Sequence, residues 1–441
     1  VIGLLALLLI GGILGFAAMR EPAPKGEPAT AATSPAPPPS LDPAPPVENW
    51  PRWGITHTQF SADHEPAKVR EQAAHMLERE PMLQNQHIMG WGAGNPEPSP
   101  GRYDFRQLDD RMKFISQSKG VPVITLCCAP DWMKGGTPGR TDWTKNATVA
   151  PKREHFDDFA NLAARIAKRY PNVRHYMVWN EFKGFWDPVN QRWDAEAYTE
   201  MYNKVYDALK KVNPQIQVGG PYIPMDSTQR DAGSELKGPW GVMDQRVLDA
   251  IGYWLSEKKG ADFIVVDGAS MTTDKGNVPD DFGALAKFSA ITTWLRQKSG
   301  DLPVWWAEWY IEPTNSGWSE AKRTAVQAVA MMEFAASGAT TALYWNPQRE
   351  TGKDCPGCLW VPGNGREMPM AGLLSGFTKW FPAGVPLAQV SVSDQRVRVL
   401  AQERMMVMVN TTDAELSATV DGKTVTLKPY EIKWSPRGVT G

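Results

Sequence analysis

Between Trp50 and Pro382 the chain alternates short apolar runs with longer amphipathic stretches, and this constrains its fold more than any other feature. A strand buried on both faces reads as a continuous apolar run, and a helix packed against it reads as a stripe at helical spacing. The runs are Trp53–Thr56, Gln86–Met89, Val121–Leu126, His175–Trp179, Gln215–Gly219, Phe263–Val266, Val304–Ala307 and Ala342–Trp345. Helical spacing covers His155–Tyr170, where Phe156, Phe159, Ala163, Ile166, Ala167 and Tyr170 share one face. It recurs over Asp194–Val212, Met243–Lys258, Leu285–Lys298 and Ser319–Ser337. Repeated βα units build a parallel sheet, and eight of them close it into a barrel. The predicted fold class is α/β, a (β/α)8 TIM barrel over residues 49–382.

Beyond Pro382 the pattern changes to period-two runs at Arg396–Ala401, Met405–Asn410, Leu416–Val420, Thr424–Leu427 and Ile432–Ser435, with turn signals at Asp413 and Asp421-Gly422. They predict a small antiparallel β domain over 383–441, sandwich-like and packed on the barrel because so few strands cannot bury a core of their own. At the other end, Val1–Met19 is apolar and uncharged, the pattern of a signal peptide or membrane anchor over residues 1–20. Residues 21–48 are rich in Pro and Ala, a composition that stays extended and reads as a linker. An extracytoplasmic protein is expected, secreted or held at a membrane through that N-terminal segment alone.

A formal net charge of -2 gives no basic surface for a polyanion, so nucleic acid is excluded as a partner. The cysteines fall into two local pairs, Cys127/Cys128 and Cys355/Cys358, with no His pair at finger-like spacing. Neither pair fits a metal site, adjacent strand residues pointing to opposite faces, and no metal or cofactor is expected. Cys355-Pro-Gly-Cys358 reads instead as a loop-tightening disulfide.

In barrels of this kind the working residues sit where the strands end. The fourth run ends in Trp179-Asn180-Glu181 and the seventh in Trp306-Ala307-Glu308-Trp309, so each delivers a carboxylate to the barrel mouth. Glycoside cleavage through an oxocarbenium-like transition state needs two such groups, one to protonate the leaving oxygen and one to attack the anomeric carbon. Nineteen tryptophans exceed what a core of this size needs, and aromatic faces suit the apolar faces of sugar rings. Trp132 and Trp309, following the third and seventh runs, are candidates for stacking. Trp186 and Trp193 could extend a cleft or simply pack their own loop.

With these motifs the sequence resembles the clan A glycoside hydrolases, and within them it is most similar to glycoside hydrolase family 39, the xylosidase and iduronidase relatives that include bacterial exopolysaccharide hydrolases. The resemblance spans Trp50 to Pro382. It rests on Trp179-Asn180-Glu181-Phe182, Trp306-Ala307-Glu308-Trp309-Tyr310 and Pro100-Gly101-Arg102-Tyr103-Asp104-Phe105. It implies a retaining hydrolase with Glu181 as acid/base and Glu308 as nucleophile. It also implies Asn180 on the sugar 2-hydroxyl, Trp345 as an aromatic floor, and His57 and Trp91 as substrate contacts. One departure stands out. Where family members end strand six in His-x-Tyr, with the Tyr orienting the nucleophile, this chain reads Asp267-Gly268-Ala269. Asp267 could contact substrate or cap its loop. The expected substrate is a cell-surface or extracellular carbohydrate polymer, cleaved internally. The alternatives are an exo-acting β-xylosidase or arabinosidase, and a non-catalytic carbohydrate-binding or polysaccharide-assembly protein.

Overall fold

The computed structural model describes residues 52–61, 65–230 and 233–437. The N-terminal apolar segment and the Pro/Ala-rich linker lie outside the described residues, and among those described no helix is long and apolar enough to cross a membrane.

Eight parallel strands close into a barrel: β1 (Trp53–Thr56), β2 (Leu83–His87), β3 (Val121–Leu126), β4 (His175–Val178), β5 (Gln217–Pro224), β6 (Phe263–Ala269), β7 (Val304–Tyr310) and β8 (Thr341–Trp345), with β8 pairing back onto β1. Each is followed by a helix on the outside: α1 (Ala67–Glu78), α2 (Arg106–Gln117), α3 (Phe156–Arg169), α4 (Ala195–Val212), α5 (Gln245–Glu257), α6 (Ala286–Ser299), α7 (Glu320–Ser337) and α8 (Pro369–Trp380). The architecture is the (β/α)8 barrel that the alternating pattern predicts.

The chain forms two hydrophobic layers because successive strand residues point to opposite faces. Leu83, Val123, Met177, Tyr222, Phe263, Val265, Trp305, Ala307 and Leu343 fill the barrel interior. Their outward neighbours, such as Ile55, Val266 and Trp306, pack under the helices.

Strand β2 departs from its predicted place. Its residues Gln84, Asn85, Gln86 and His87 are polar yet wholly buried, so an apolar run could not mark them. They are tolerated because they are hydrogen-bonded. Inside the barrel, Asn85 donates to Thr56 Oγ1 (3.1 Å) and accepts from Thr125 Oγ1 (2.8 Å), while Thr56 reaches the Ala307 carbonyl (2.7 Å).

Strands β5, β6 and β7 run three to five residues past their apolar runs, and two irregularities in register re-aim their ends. Val265 of β6 faces Pro221 and Val266 faces Ile223, which leaves Tyr222 as the extra residue of β5. Val266 faces Trp306 and Asp267 faces Glu308, which leaves Ala307 as the extra residue of β7. Such bulges redirect side chains. Here the second one turns Glu308 inward beside Asp267.

The C-terminal strands β9 (Val397–Ala401), β10 (Met405–Asn410) and β13 (Ile432–Pro436) form one antiparallel sheet, and β11 (Leu416–Val420) pairs with β12 (Lys423–Leu427). They are docked onto the barrel. Trp434 of β13 packs edge-on against Phe377 of α8 (5.5 Å) and at a tilt against Phe381 (6.2 Å), and Arg398 of β9 pairs with Glu333 of α7 (2.7 Å).

Both cysteine pairs are disulfide-bonded. Cys355–Cys358 closes its loop as the spacing predicts. Cys127–Cys128 corrects the expectation of opposed side chains: the two residues follow the end of β3, outside the strand whose alternation would oppose them, and their sulfurs are bonded to each other.

Candidate active site

After Val178 the chain leaves β4 through a tight turn in which Trp179, Glu181 and Phe182 all have positive φ, at 71°, 49° and 50°. L-residues enter that region only where surrounding structure over-determines it. Packing does so here. The buried Trp179 ring meets Phe159 (5.6 Å) and donates through Nε1 to the Lys183 carbonyl (2.8 Å). Phe182 stacks on Tyr198 of α4 (4.2 Å). Gly184, at φ +82°, has no room for a side chain, since a Cβ there would lie 2.1 Å from the Ala150 nitrogen.

The turn presents Glu181 on the same end of the barrel as Glu308. Glu181 is 7% exposed and Glu308 2%. The Lys183 ammonium beside Glu181 is itself largely buried. It lies 2.7 Å from Glu181 Oε2. The Asn180 amide satisfies its neighbours with its oxygen 3.1 Å from Lys183 Nζ and its nitrogen 3.1 Å from the Tyr222 hydroxyl and 3.3 Å from Glu308 Oε1. His87 Nε2 is 3.4 Å from the same amide. Tyr222 and Tyr310 donate to opposite oxygens of Glu308, Oε1 and Oε2 respectively. The wall continues through aromatic contacts: Tyr310 with Trp345 (6.3 Å), Trp345 with Trp91 (6.3 Å) and Trp91 with His87 (4.4 Å). Trp91 and Trp345 keep part of their surface open to solvent, as a sugar-stacking surface requires.

The family model for glycosyl hydrolases family 39 matches residues 96–322, a span that contains both carboxylates and more than half of the chain. The chain belongs to glycosyl hydrolases family 39. A curated beta-xylosidase of Caldicellulosiruptor saccharolyticus is 28% identical to this family 39 chain over 134 residues, which is 28% of the chain and only 26% of that relative. Among solved structures, a monomeric beta-xylosidase from Caulobacter crescentus superposes with TM-score 0.53 at 17% identity, covering 84% of this chain and 75% of its own. A family 39 glycoside hydrolase from Bacteroides cellulosilyticus does so with TM-score 0.55 at 16% identity, covering 87% and 80%. At such identities these likenesses speak for the barrel fold.

The electrostatics of this family 39 site follow from burying three acids together. Glu308 is pushed up to about 7, first by burial and then by the charge of Glu181, against the hydroxyls of Tyr222 and Tyr310 and the Lys183 ammonium. Asp267, 2% exposed, is raised well above the carboxylate range by burial and by the charges of Glu181 and Glu308. Its Oδ1 is buried and has no partner among the described residues. Tyr222 and Tyr310 are raised well above 10 by burial and by Glu308, which keeps them as donors. Burial lowers His87 to about 3, so its imidazole is neutral. Lys183 is raised: burial opposes its charge, but Glu181, Glu308 and Asp267 outweigh that.

Of the residues singled out from sequence, Glu181, Glu308, Asn180, Asp267, Trp91 and Trp345 come together. Three others do not. His57 follows the inward-facing Thr56 and so points outward, where it bonds Gln84 (2.9 Å) and packs edge-on against Phe114 of α2. Trp309 lies behind the bulge, buried against Phe334 of α7 and Tyr344. Trp132 is buried with its indole nitrogen on the Glu97 carbonyl (2.9 Å) and its ring against His155 (5.3 Å). Trp186 and Trp193 meet each other edge-on (5.2 Å) across a short hairpin. Sequence reasoning missed Lys183, Tyr222, Tyr310 and His87. The missing strand-six tyrosine has a physical replacement, since Tyr222 and Tyr310 already occupy both oxygens of Glu308.

Proposed function

We propose that the chain is a retaining glycoside hydrolase that cleaves an extracytoplasmic polysaccharide internally by double displacement, with Glu308 as nucleophile and Glu181 as acid/base. The observation that carries the reading is Glu308 itself. It is a buried carboxylate held at both oxygens by neutral tyrosine hydroxyls, in one hydrogen-bonded cluster with a second glutamate.

In the first half a Glu308 oxygen bonds to the anomeric carbon as the glycosidic C–O bond breaks, and Glu181 gives its proton to the departing oxygen. In the second half water attacks that carbon, Glu181 takes the water's proton, and the glycosyl ester on Glu308 breaks. As the carboxylate loses charge in bonding to carbon, Tyr222 and Tyr310 need only relax their hydrogen bonds. Asn180 reaches both Glu308 and Lys183 and supplies a polar edge for a sugar hydroxyl. Asp267 has a free acid oxygen for another. Trp91 and Trp345 offer ring faces to the sugar.

An activated 2-fluoro glycoside tests the chemistry: peptide mapping should place one trapped sugar on Glu308, and no mass shift across a broad sugar panel would refute hydrolysis by this route. Glu181→Gln should slow substrates with poor leaving groups far more than activated aryl glycosides. The apolar segment and linker support an extracytoplasmic substrate. The beta-xylosidase among the relatives favours the second reading, an exo-acting β-xylosidase or arabinosidase. Product lengths from polysaccharide digests separate the two, since internal cleavage yields a ladder of oligosaccharides and exo cleavage yields single sugars.

A further inference from the structure

A turn with three residues at positive φ is a poor platform for aiming a flexible glutamate, yet Glu181 sits in the middle of one. Its backbone is fixed by aromatic packing, but that packing does not reach its carboxylate. Lys183 does. Two residues further along the same turn, its ammonium meets Glu181 Oε2 at 2.7 Å with both side chains less than a tenth exposed. The ammonium has two further supports, the Asn180 amide oxygen (3.1 Å) and the face of Trp91 (5.6 Å).

Besides Lys183, the described groups that feel the charge of Glu181 are acids and tyrosines. From β7 come Glu308 and Tyr310, from β6 Asp267, from β5 Tyr222, and just beyond β5 Asp226. The Lys287 ammonium of α6 acts on Asp226, and His87 is neutral.

Building on the hydrolase reading above, we infer that Lys183 is a positioning residue for Glu181, fixing the direction of its carboxylate for the proton transfer from water in the second half-reaction. Asn180 and Trp91 hold the ammonium in place during the first half-reaction, when Glu181 carries its proton.

Lys183→Met and Lys183→Arg test this against wild type, with kcat and KM measured on aryl glycosides whose good leaving groups make the second half-reaction limiting. There kcat reports the step in which Glu181 takes the water's proton, while kcat/KM reports the first half-reaction, which needs little acid help with such leaving groups. Without the ammonium to aim the carboxylate, kcat should fall about tenfold or more and KM should fall with it, leaving kcat/KM nearly unchanged. Lys183→Arg should restore kcat in large part. An unchanged kcat, or kcat and kcat/KM depressed together with no recovery in the arginine variant, would overturn the inference.

A second measurement does not depend on the lysine variants folding. In protein carrying 15N-lysine, the Lys183 Nζ resonance should shift on Glu181→Gln and stay put on the distant Glu333→Gln; an unmoved resonance would equally overturn the inference. If wild type turns over no glycoside at all, the hydrolase reading fails, while this spectrum still decides whether Lys183 holds Glu181.

Discussion

Tyr310→Phe removes one oxygen atom, and the structure says what that atom does. The hydroxyl donates to Glu308 Oε2, while Tyr222 serves the other oxygen. A hydrogen bond to a charged acceptor is worth about 1.5–3 kcal/mol, and each unit of pKa corresponds to about 1.4 kcal/mol. Loss of the donor should therefore raise Glu308 by about one to two units from its value of about 7. Glu308 must be ionised to attack, so the effect belongs to the acid limb of kcat/KM, which should move upward by the same amount. Below the limb the rate should fall about tenfold to a hundredfold, and above it only a few-fold, because the carboxylate is spent in the transition state and the lost bond weakens there anyway. The assay is kcat/KM against pH for wild type and variant on one aryl glycoside. An acid limb that stays where it was, with the rate depressed equally at every pH, would refute the argument that the tyrosines set the charge of Glu308.

Other outcomes follow from the same burial. A carboxyl raised from 4.5 to about 7 in the folded state binds its proton more tightly folded than unfolded, so its contribution to stability falls as pH rises through that window. Glu308→Gln should therefore stabilise the fold by about 1–3 kcal/mol at pH 8 and by little at pH 4, as read by thermal melting; equal changes at both would count against the buried charge. Gly184→Ala should cost about 2 kcal/mol or more and depress activity, since a methyl at φ +82° meets the Ala150 backbone; a melting temperature within a degree of wild type would show that the turn can shift. Trp434→Ala should cost about 3–5 kcal/mol and raise hydrogen exchange in β9, β10 and β13 before the barrel strands, because this indole anchors their sheet on Phe377 and Phe381.

The barrel was legible because its strands are apolar on both faces, and the catalytic candidates because each acid sits at a strand end. Legibility failed where polar residues are buried or where the period of two is broken. Strand β2 starts three residues ahead of its predicted run at Gln86–Met89 because Gln84, Asn85, Gln86 and His87 pay for burial with hydrogen bonds rather than apolar surface. Trp309 illustrates the second failure. Counting from the inward Trp305 and Ala307 puts Trp309 inward too, but the extra residue at Ala307 reverses the faces and sends Trp309 under the helices. The same reversal turns Glu308 and Tyr310 inward together, so Tyr310 could be found only once the bulge was known. Lys183 had a weak local signal in standing two residues beyond Glu181. Tyr222 had none, as it is itself the extra residue of the other bulge.

Five of the eleven non-glycine residues with positive φ among those described are Trp91, Trp179, Glu181, Phe182 and Tyr222, all just beyond β2, beyond β4 or at the end of β5. Each costs on the order of 1–3 kcal/mol, a sum that a marginally stable fold sustains only with specific compensation. The compensation is aromatic: all but Glu181 carry large rings, and those rings are held by Phe159, Tyr198, His87 and the Glu308 carboxylate. Glu181 is the exception, with no ring to bury. What fixes it is an ion pair with a lysine from the same turn. Strain and its relief thus meet at the residue whose carboxylate has to point in one direction, which a propensity scale would never assign to a left-handed turn.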